Sequence, residues 1–371
     1  MKKTVKNIIL LIALLLMGMI QIPSNGQAAE LNFAVEAIIP ENQRDKTKTY
    51  FDLRVEPNSE QTIEMNLRND TEKDVTVEPS VNTAITNING VVEYGETKTK
   101  TDSTLPIDLK KIVTVSNEIT IPAKSLVKVP LTIKMPETKF DGILSGGITI
   151  KEKADSADSE GSNQDGQGLA INNKYAYVVA LLLNQTDQEV KPKLELNNVE
   201  PSQINLRNVI NANLQNVEST YINSMNIDAK VTKKGAKETV YESSKKNMQM
   251  APNSNFDYPI ALEGQRLEAG DYTLTLNVDA KEDSWSFTKD FTIKSEDAKK
   301  YNQTDVTIKK NNTWIYVLVG LLLILIVGIL IFFIIKQKKK KEEEERKQLL
   351  ARKKKLARRK KRREQELKAK Q

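Results

Sequence analysis

From about Glu30 to Lys153 apolar and polar side chains alternate with a period of two. Phe33, Val35 and Ala37 share one side of the pattern, as do Phe51, Leu53 and Val55, then Ile63, Met65 and Leu67. Later Val127, Val129, Leu131 and Ile133 repeat it. Successive side chains of a strand point to opposite faces, so this spacing predicts half-buried strands. Asn89-Gly90 marks a hairpin, because both residues tolerate positive φ. Pro40, Pro57, Pro79, Pro122 and Pro136 mark strand ends or edges, where a missing N–H costs no ladder bond. Short strands separated by turns every eight to twelve residues predict a β-sandwich. A second β-rich domain is predicted over 169–295. Tyr175–Leu183 reads as a strand buried on both faces or shared between domains, and Tyr272, Leu274 and Leu276 alternate again. Trp285, Phe287 and Phe291 suggest a closing hairpin. Ser202 to Thr220 breaks the rhythm. Pro201-Ser202 suits a helix start, and Ile204, Leu206, Val209, Ile210 and Leu214 fit helical spacing, so one inserted helix is predicted there.

Between the domains, 154–168 is rich in Asp, Ser, Gly and Gln, with no hydrophobe larger than Ala. It reads as a flexible linker or a hairpin tip. A juxtamembrane stalk over 296–313 leads to Trp314–Ile335, an unbroken apolar run stopped by Lys336. Roughly 20 apolar residues cross a bilayer as a helix. Trp314 and Tyr316 stand where amphipathic rings favour the interface, and Lys338–Lys341 follow Lys336. Positive charge is retained inside, so the ectodomain is expected outside and a basic tail, 336–371, in the cytoplasm. At the other end Lys2, Lys3 and Lys6 precede an apolar Ile8–Ile20, and Ala28 and Ala29 suit signal peptidase. Residues 1–29 are read as a cleaved signal peptide.

Charge and composition narrow the chemistry. The net charge of +7 hides a tail near +13, with 19 Lys and Arg against 6 Glu, and an acidic ectodomain. Basic charge placed beside a membrane meets anionic headgroups, so no nucleic-acid partner is inferred. Cys and His are both absent. That removes thiol nucleophiles, the Ser-His-Asp arrangement and most zinc sites. Asp141, Asp155, Asp158 and Asp165 lack calcium-loop spacing, so neither metal nor cofactor is expected. A cysteine-free exported protein points to a bacterial surface, and the lysine-tailed single span to a cell with one membrane and a wall.

The two halves look like distant copies. Asn69-Asp-Thr-Glu-Lys-Asp-Val matches Asn184-Gln-Thr-Asp-Gln-Glu-Val. Pro122 stands before Asp141-Gly142 much as Pro252 stands before Asp271-Tyr272. Each Asn-x-Thr is expected to build a tight turn through its own side chains.

Phe33-Ala-Val-Glu-Ala-Ile-Ile-Pro-Glu-Asn-Gln, Tyr50-Phe-Asp-Leu, Asn69-Asp-Thr, Ala84-Ile-Thr-Asn-Ile-Asn-Gly-Val-Val-Glu-Tyr94 and Phe140-Asp-Gly-Ile-Leu-Ser-Gly-Gly-Ile occur in that order. The series is similar to the N-terminal domain of WxL-interacting proteins, surface proteins of low-GC Gram-positive bacteria. The resemblance covers nearly all of the chain except the tail. It implies two tandem Ig-like β-sandwich domains, so the expected class is all-β, the second sandwich with its inserted helix, plus one C-terminal transmembrane helix. It also implies that 30–153 binds peptidoglycan, that 169–295 binds host extracellular proteins, and that Trp-x-Leu surface proteins are partners. Trp285-Ser-Phe and Trp314-Ile-Tyr are not Trp-x-Leu, so this chain resembles the receptor rather than its partner.

Tyr50 and Tyr94 with Asn42 and Gln43 are the candidate ligand surface, because aromatic faces stack on sugar rings and amides pair with acetamido groups. The competing reading places these tyrosines at core edges. Asp141, Gly142, Gly146 and Gly147 form a ligand cradle or, the preferred reading, a closely approached strand. A noncatalytic adhesion scaffold leads. A wall glycosidase using paired carboxylates, or a purely structural stalk, stands as the alternative.

Overall fold

The computed structural model describes residues 32–153, 175–309 and 313–368. The expected signal peptide (1–29) and the polar segment 154–168 lie outside the described residues. Residues up to Thr307 form one compact unit, and Ile308–Gln371 a second.

The first sandwich contains β1 (Ala34–Ile38), β2 (Phe51–Arg54), β3 (Glu60–Asn69), β4 (Val75–Thr83), β5 (Ile85–Thr86) and β6 (Val92–Glu93). A single-turn helix α1 (Leu109–Ile112) follows, then β7 (Val113–Thr114), β8 (Ile119–Ile121), β9 (Ser125–Lys134), β10 (Leu144–Glu152) and β11 (Ala176–Asn184). One sheet runs β1-β3-β9-β7 and the other β2-β11-β10-β4-β8. The alternating residues Leu53, Met65, Leu67, Leu131 and Ile133 meet Ile148 and Leu181 between them.

The second sandwich contains β12 (Leu194–Ile204), β13 (Arg207–Asn216), β14 (Ile222–Lys233), β15 (Thr239–Met250), β16 (Ser254–Ala261), β17 (Gly270–Ala280) and β18 (Asp283–Ile293). Its sheets run β12-β13-β16 and β15-β14-β17-β18. Set beside the first sandwich, β1-β3-β9 corresponds to β12-β13-β16, and β8-β4-β10-β11 to β15-β14-β17-β18. The halves are copies in topology.

That correspondence bears on three sequence expectations. The apolar strand 175–183 belongs to a sheet of the first sandwich, in keeping with the hairpin-tip reading of 154–168. As β11 it pairs antiparallel with β10 from Lys151↔Ala176 to Leu144↔Leu183, and parallel with β2. It stands beside β10 as β18 stands beside β17, so 154–168 joins two paired strands of one sheet. Secondly, 202–220 holds no helix. Ile204 faces Arg207 across a two-residue turn in which Asn205 (φ 50°) and Leu206 (φ 57°) both have positive φ. Such turns match the twist of the flanking strands. Ile210, Ala212 and Leu214 are the period-two core face of β13. Small Ala212 and the intervening amides hid that period. Thirdly, the counterpart of Asn69 is Asn216, not Asn184. Asn69 and Asn216 are fully buried at the ends of equivalent strands. Asn69 Nδ2 donates to the carbonyls of Lys73 (2.7 Å) and Ile121 (2.9 Å), and Asn216 Nδ2 to those of Thr220 (2.6 Å) and Ala251 (3.0 Å). Asn184 donates only to Asp52, at 3.1 Å.

The expected stalk begins as a packed helix, α2 (Ser295–Thr304). Asn302 fastens it, donating to the Leu267 carbonyl at 2.8 Å and accepting from its N–H at 2.9 Å. In the second unit α3 (Thr313–Lys368) is one continuous helix that contains the apolar run and is long and apolar enough to cross a membrane. Beyond Lys336 the i,i+4 pair Glu343–Lys347 forms at 2.9 Å, as the spacing predicts.

Candidate binding groove

The β5–β6 hairpin leaves the first sandwich and lies against the second. Thr86 and Ser254 share a hydrogen bond between hydroxyls at 2.6 Å, and the Ala251 N–H donates to Thr86 Oγ1 at 3.0 Å. At the Asn89-Gly90 turn Gly90 has φ 66°, and its carbonyl accepts from the Gln249 N–H at 2.7 Å. Gly142 has φ 83°, and a Cβ there would collide with the Ser219 carbonyl. The Ile143 N–H donates to that carbonyl at 2.7 Å. Gly146 gives way to Leu109 and Gly147 to Tyr94. These glycines therefore permit close backbone approach rather than cradle a ligand, and Asp141 accepts a bond from the Thr186 hydroxyl at 2.7 Å.

Asp102 ties the junction further. Its carboxylate accepts from Thr104 N–H (2.9 Å) and hydroxyl (2.8 Å), and from Gln215 (2.8 Å) and Asn255 (2.5 Å) of the second sandwich. Burial pushes its pKa up, but these bonds outweigh burial and hold the carboxyl below its ordinary range.

A groove of about 1060 Å³ opens beside this junction. Tyr50 comes from the loop before β2, Tyr94 from the end of β6, Tyr177 from β11 and Tyr221 from the start of β14. The Tyr221 hydroxyl lies 3.1 Å from that of Tyr94 and 2.5 Å from Ser145 Oγ. Burial pushes the Tyr221 phenol far up, so it stays protonated and neutral. Val178, Ala180 and Leu182 also line the groove, from the outer side of β11. Val178 is 45% exposed. That apolar outer side is why β11 reads as an uninterrupted hydrophobic run.

The structure thus brings Tyr50 and Tyr94 together but withdraws their expected amide partners. Gln43 is buried, its amide donating to the carbonyls of Asp45 (3.1 Å) and Tyr50 (2.9 Å) and accepting from the Asp52 N–H (2.9 Å). Asn42 donates to the Arg54 carbonyl and to Gln61, both at 2.7 Å. These two amides shape the loop that presents Tyr50. The groove amides are instead Asn223 and Gln249. Sequence reasoning missed them with Tyr221, because pairing across the sandwiches leaves no local periodicity.

The only acidic side chain lining the groove, among the described residues, is Glu36. A paired-carboxylate mechanism needs two opposed groups, so the groove lacks that equipment. No cluster of three or more metal-ligating side chains occurs among the described residues. A second groove, of about 1040 Å³, is lined by Tyr241 and Ser243 of β15 and by Pro259 and Ala261 of β16.

Residues 33–152 match the family described as WxL Interacting Protein, peptidoglycan binding domain. Residues 166–303 match WxL Interacting Protein, host binding domain. No curated protein matches the chain. Among solved structures, the chaperone–tip adhesin complex of CFA/I fimbriae aligns at 11% identity over 70% of this chain and 99% of that one, with TM-score 0.29. The CsuC–CsuE pre-assembly complex of Acinetobacter baumannii Csu pili aligns at 13% identity over 62% and 91%, with TM-score 0.30. The E. coli chaperone DraB aligns at 14% identity over 71% and 95%, with TM-score 0.27. Scores this low carry no argument about ligands or assembly.

Proposed function

Since this chain belongs to the WxL-interacting protein family, with the peptidoglycan-binding domain first and the host-binding domain second, we propose a noncatalytic surface scaffold that grips peptidoglycan in the tyrosine-lined groove. The carrying observation is that Tyr50, Tyr94 and Tyr221 line one open groove, with Tyr177, packed edge-on against Phe33, at its border and Glu36 as the single carboxylate among the described residues. Phenol rings offer apolar faces to pyranose rings and hydroxyls to their polar edges. Lys46 and Lys48, exposed at the groove, suit the carboxylates of stem peptides. Proteins carrying the Trp-x-Leu domain, and host extracellular proteins, are the partners of the second sandwich. Its open groove between β15 and β16 is the surface we assign to them. The span Trp314–Ile335 holds the scaffold at the membrane with the ectodomain outside and 336–371 in the cytoplasm.

Peptidoglycan sedimentation tests this reading. Intact wall fragments should carry the protein down reversibly and stay undegraded. Stacking and neutral hydrogen bonds dominate the proposed contacts, so moderate salt should weaken binding only slightly. Released muropeptides would make the protein a wall hydrolase and overturn the proposal. Failure to sediment would favour the structural stalk.

A further inference from the structure

We infer that the groove is a composite site, in which Asn223 and Gln249 of the second sandwich read the acetamido groups of a glycan strand stacked on tyrosines of the first. This rests on the groove being the peptidoglycan site. Tyr50, Tyr94 and Tyr177 belong to one sandwich, and Tyr221, Asn223 and Gln249 to the other. Gln249 Nε2 donates to Asn223 Oδ1 at 3.1 Å. That bond ties the two amides to each other. Asn223 Nδ2 is left as a donor and Gln249 Oε1 as an acceptor, neither with a partner among the described residues. Gln249 is exposed, and Asn223 Nδ2 is not sealed from water.

An acetamido group carries one carbonyl acceptor and one N–H donor. An amide pair offering one donor and one acceptor matches it, whereas a hydroxyl or an amine in its place satisfies half of the match at most. Tyr221 links the two walls through Tyr94 and Ser145. The main chain does the same behind it, since the Gln249 N–H is held by the Gly90 carbonyl at 2.7 Å. The spacing of stacking and amide groups is therefore set by the docking of the sandwiches. Isolated, the first sandwich through β11 would keep the stacking wall and lose the amides.

The test uses the full chain in detergent and three ligands: intact peptidoglycan, chemically N-deacetylated peptidoglycan, and soluble oligomers of N-acetylglucosamine. Two lost hydrogen bonds correspond to roughly a tenfold to hundredfold weakening. The Asn223→Ala/Gln249→Ala double variant, with its melting temperature checked, should weaken by that factor on acetylated ligands. Tyr50→Ala should weaken as well. The unmodified protein should lose a similar factor on deacetylated peptidoglycan, a readout that needs no variant to fold. If Tyr50→Ala weakens binding while the double variant and deacetylation do not, the groove stands and the composite reading falls. If none of the three changes matters, the groove is not the peptidoglycan site and both readings fall.

Discussion

Replacing Asn69 by Ala tests the internal architecture most directly. Asn69 is fully buried, and its amide joins β3 to the approach to β9. Nδ2 serves the carbonyls of Lys73, Ile121 and Pro122, at 2.7, 2.9 and 3.2 Å. Oδ1 accepts the Thr71 N–H at 2.9 Å and the Thr71 hydroxyl at 2.8 Å. Ala removes all five contacts. The Thr71 hydroxyl can still turn to the Lys73 carbonyl, 3.0 Å away. The Thr71 N–H and the Ile121 carbonyl lose these side-chain partners. A buried group left unpaired costs about 1–3 kcal/mol, so the variant should lose roughly 3 kcal/mol. At about 2–4 °C per kcal/mol, that is about 6–12 °C in melting temperature. Asn216→Ala should behave alike, since Asn216 bridges the Thr220 and Ala251 carbonyls at the equivalent corner. Asn184→Ala removes one bond, and Asp52 keeps its contact with Arg44, so about 1 kcal/mol is expected. Calorimetry of the soluble ectodomain measures all three. If Asn184→Ala costs as much as Asn69→Ala, or Asn69→Ala costs under about 1 kcal/mol, the corner argument is wrong.

Three further outcomes are expected. A fragment of residues 30–185 should be soluble and unfold cooperatively, whereas 30–153 should aggregate, because it exposes the β10 edge that β11 covers. Because the folded Asp102 carboxyl sits below its ordinary value of 3.8, its stabilisation is present above that value and is lost as pH falls below it. The melting difference between the parent and Asp102→Asn should therefore narrow in acid, and a difference independent of pH would exclude the carboxylate as the tie. Leu206→Gly should stabilise by about 0.5–1 kcal/mol in urea titration, since Leu206 is exposed and held at φ 57°; a loss of stability would show that its side chain contributes packing.

The alternation of Leu53, Met65, Leu67, Leu131 and Ile133 marks strands without reference to their partners, because a half-buried sheet forces a period of two. The run Trp314–Ile335 announces its own helix, since an all-apolar stretch of that length leaves few other solutions. Local pattern fails where partners are distant. In β13 the apolar positions satisfy helical and strand spacing together, and only the hairpin partner β12 and the core decide between them. In β11 the apolar run states burial without saying in which sandwich, because a sheet position is defined by neighbours remote in sequence. The candidate groove divides the same way. Adjacency in the chain suggests Asn42 and Gln43 as the amides of a tyrosine-lined recognition surface. Those amides turn inward to satisfy loop backbone, which a buried loop requires. Asn223 and Gln249 take the place beside Tyr50 and Tyr94 through the docking of one sandwich on the other. Sequence by itself determined the periodicities and the long apolar helix, since each follows from side chains acting locally. Tertiary structure alone decided which strand joins which sheet and which side chains share a groove, since both depend on long-range pairing that carries no local mark.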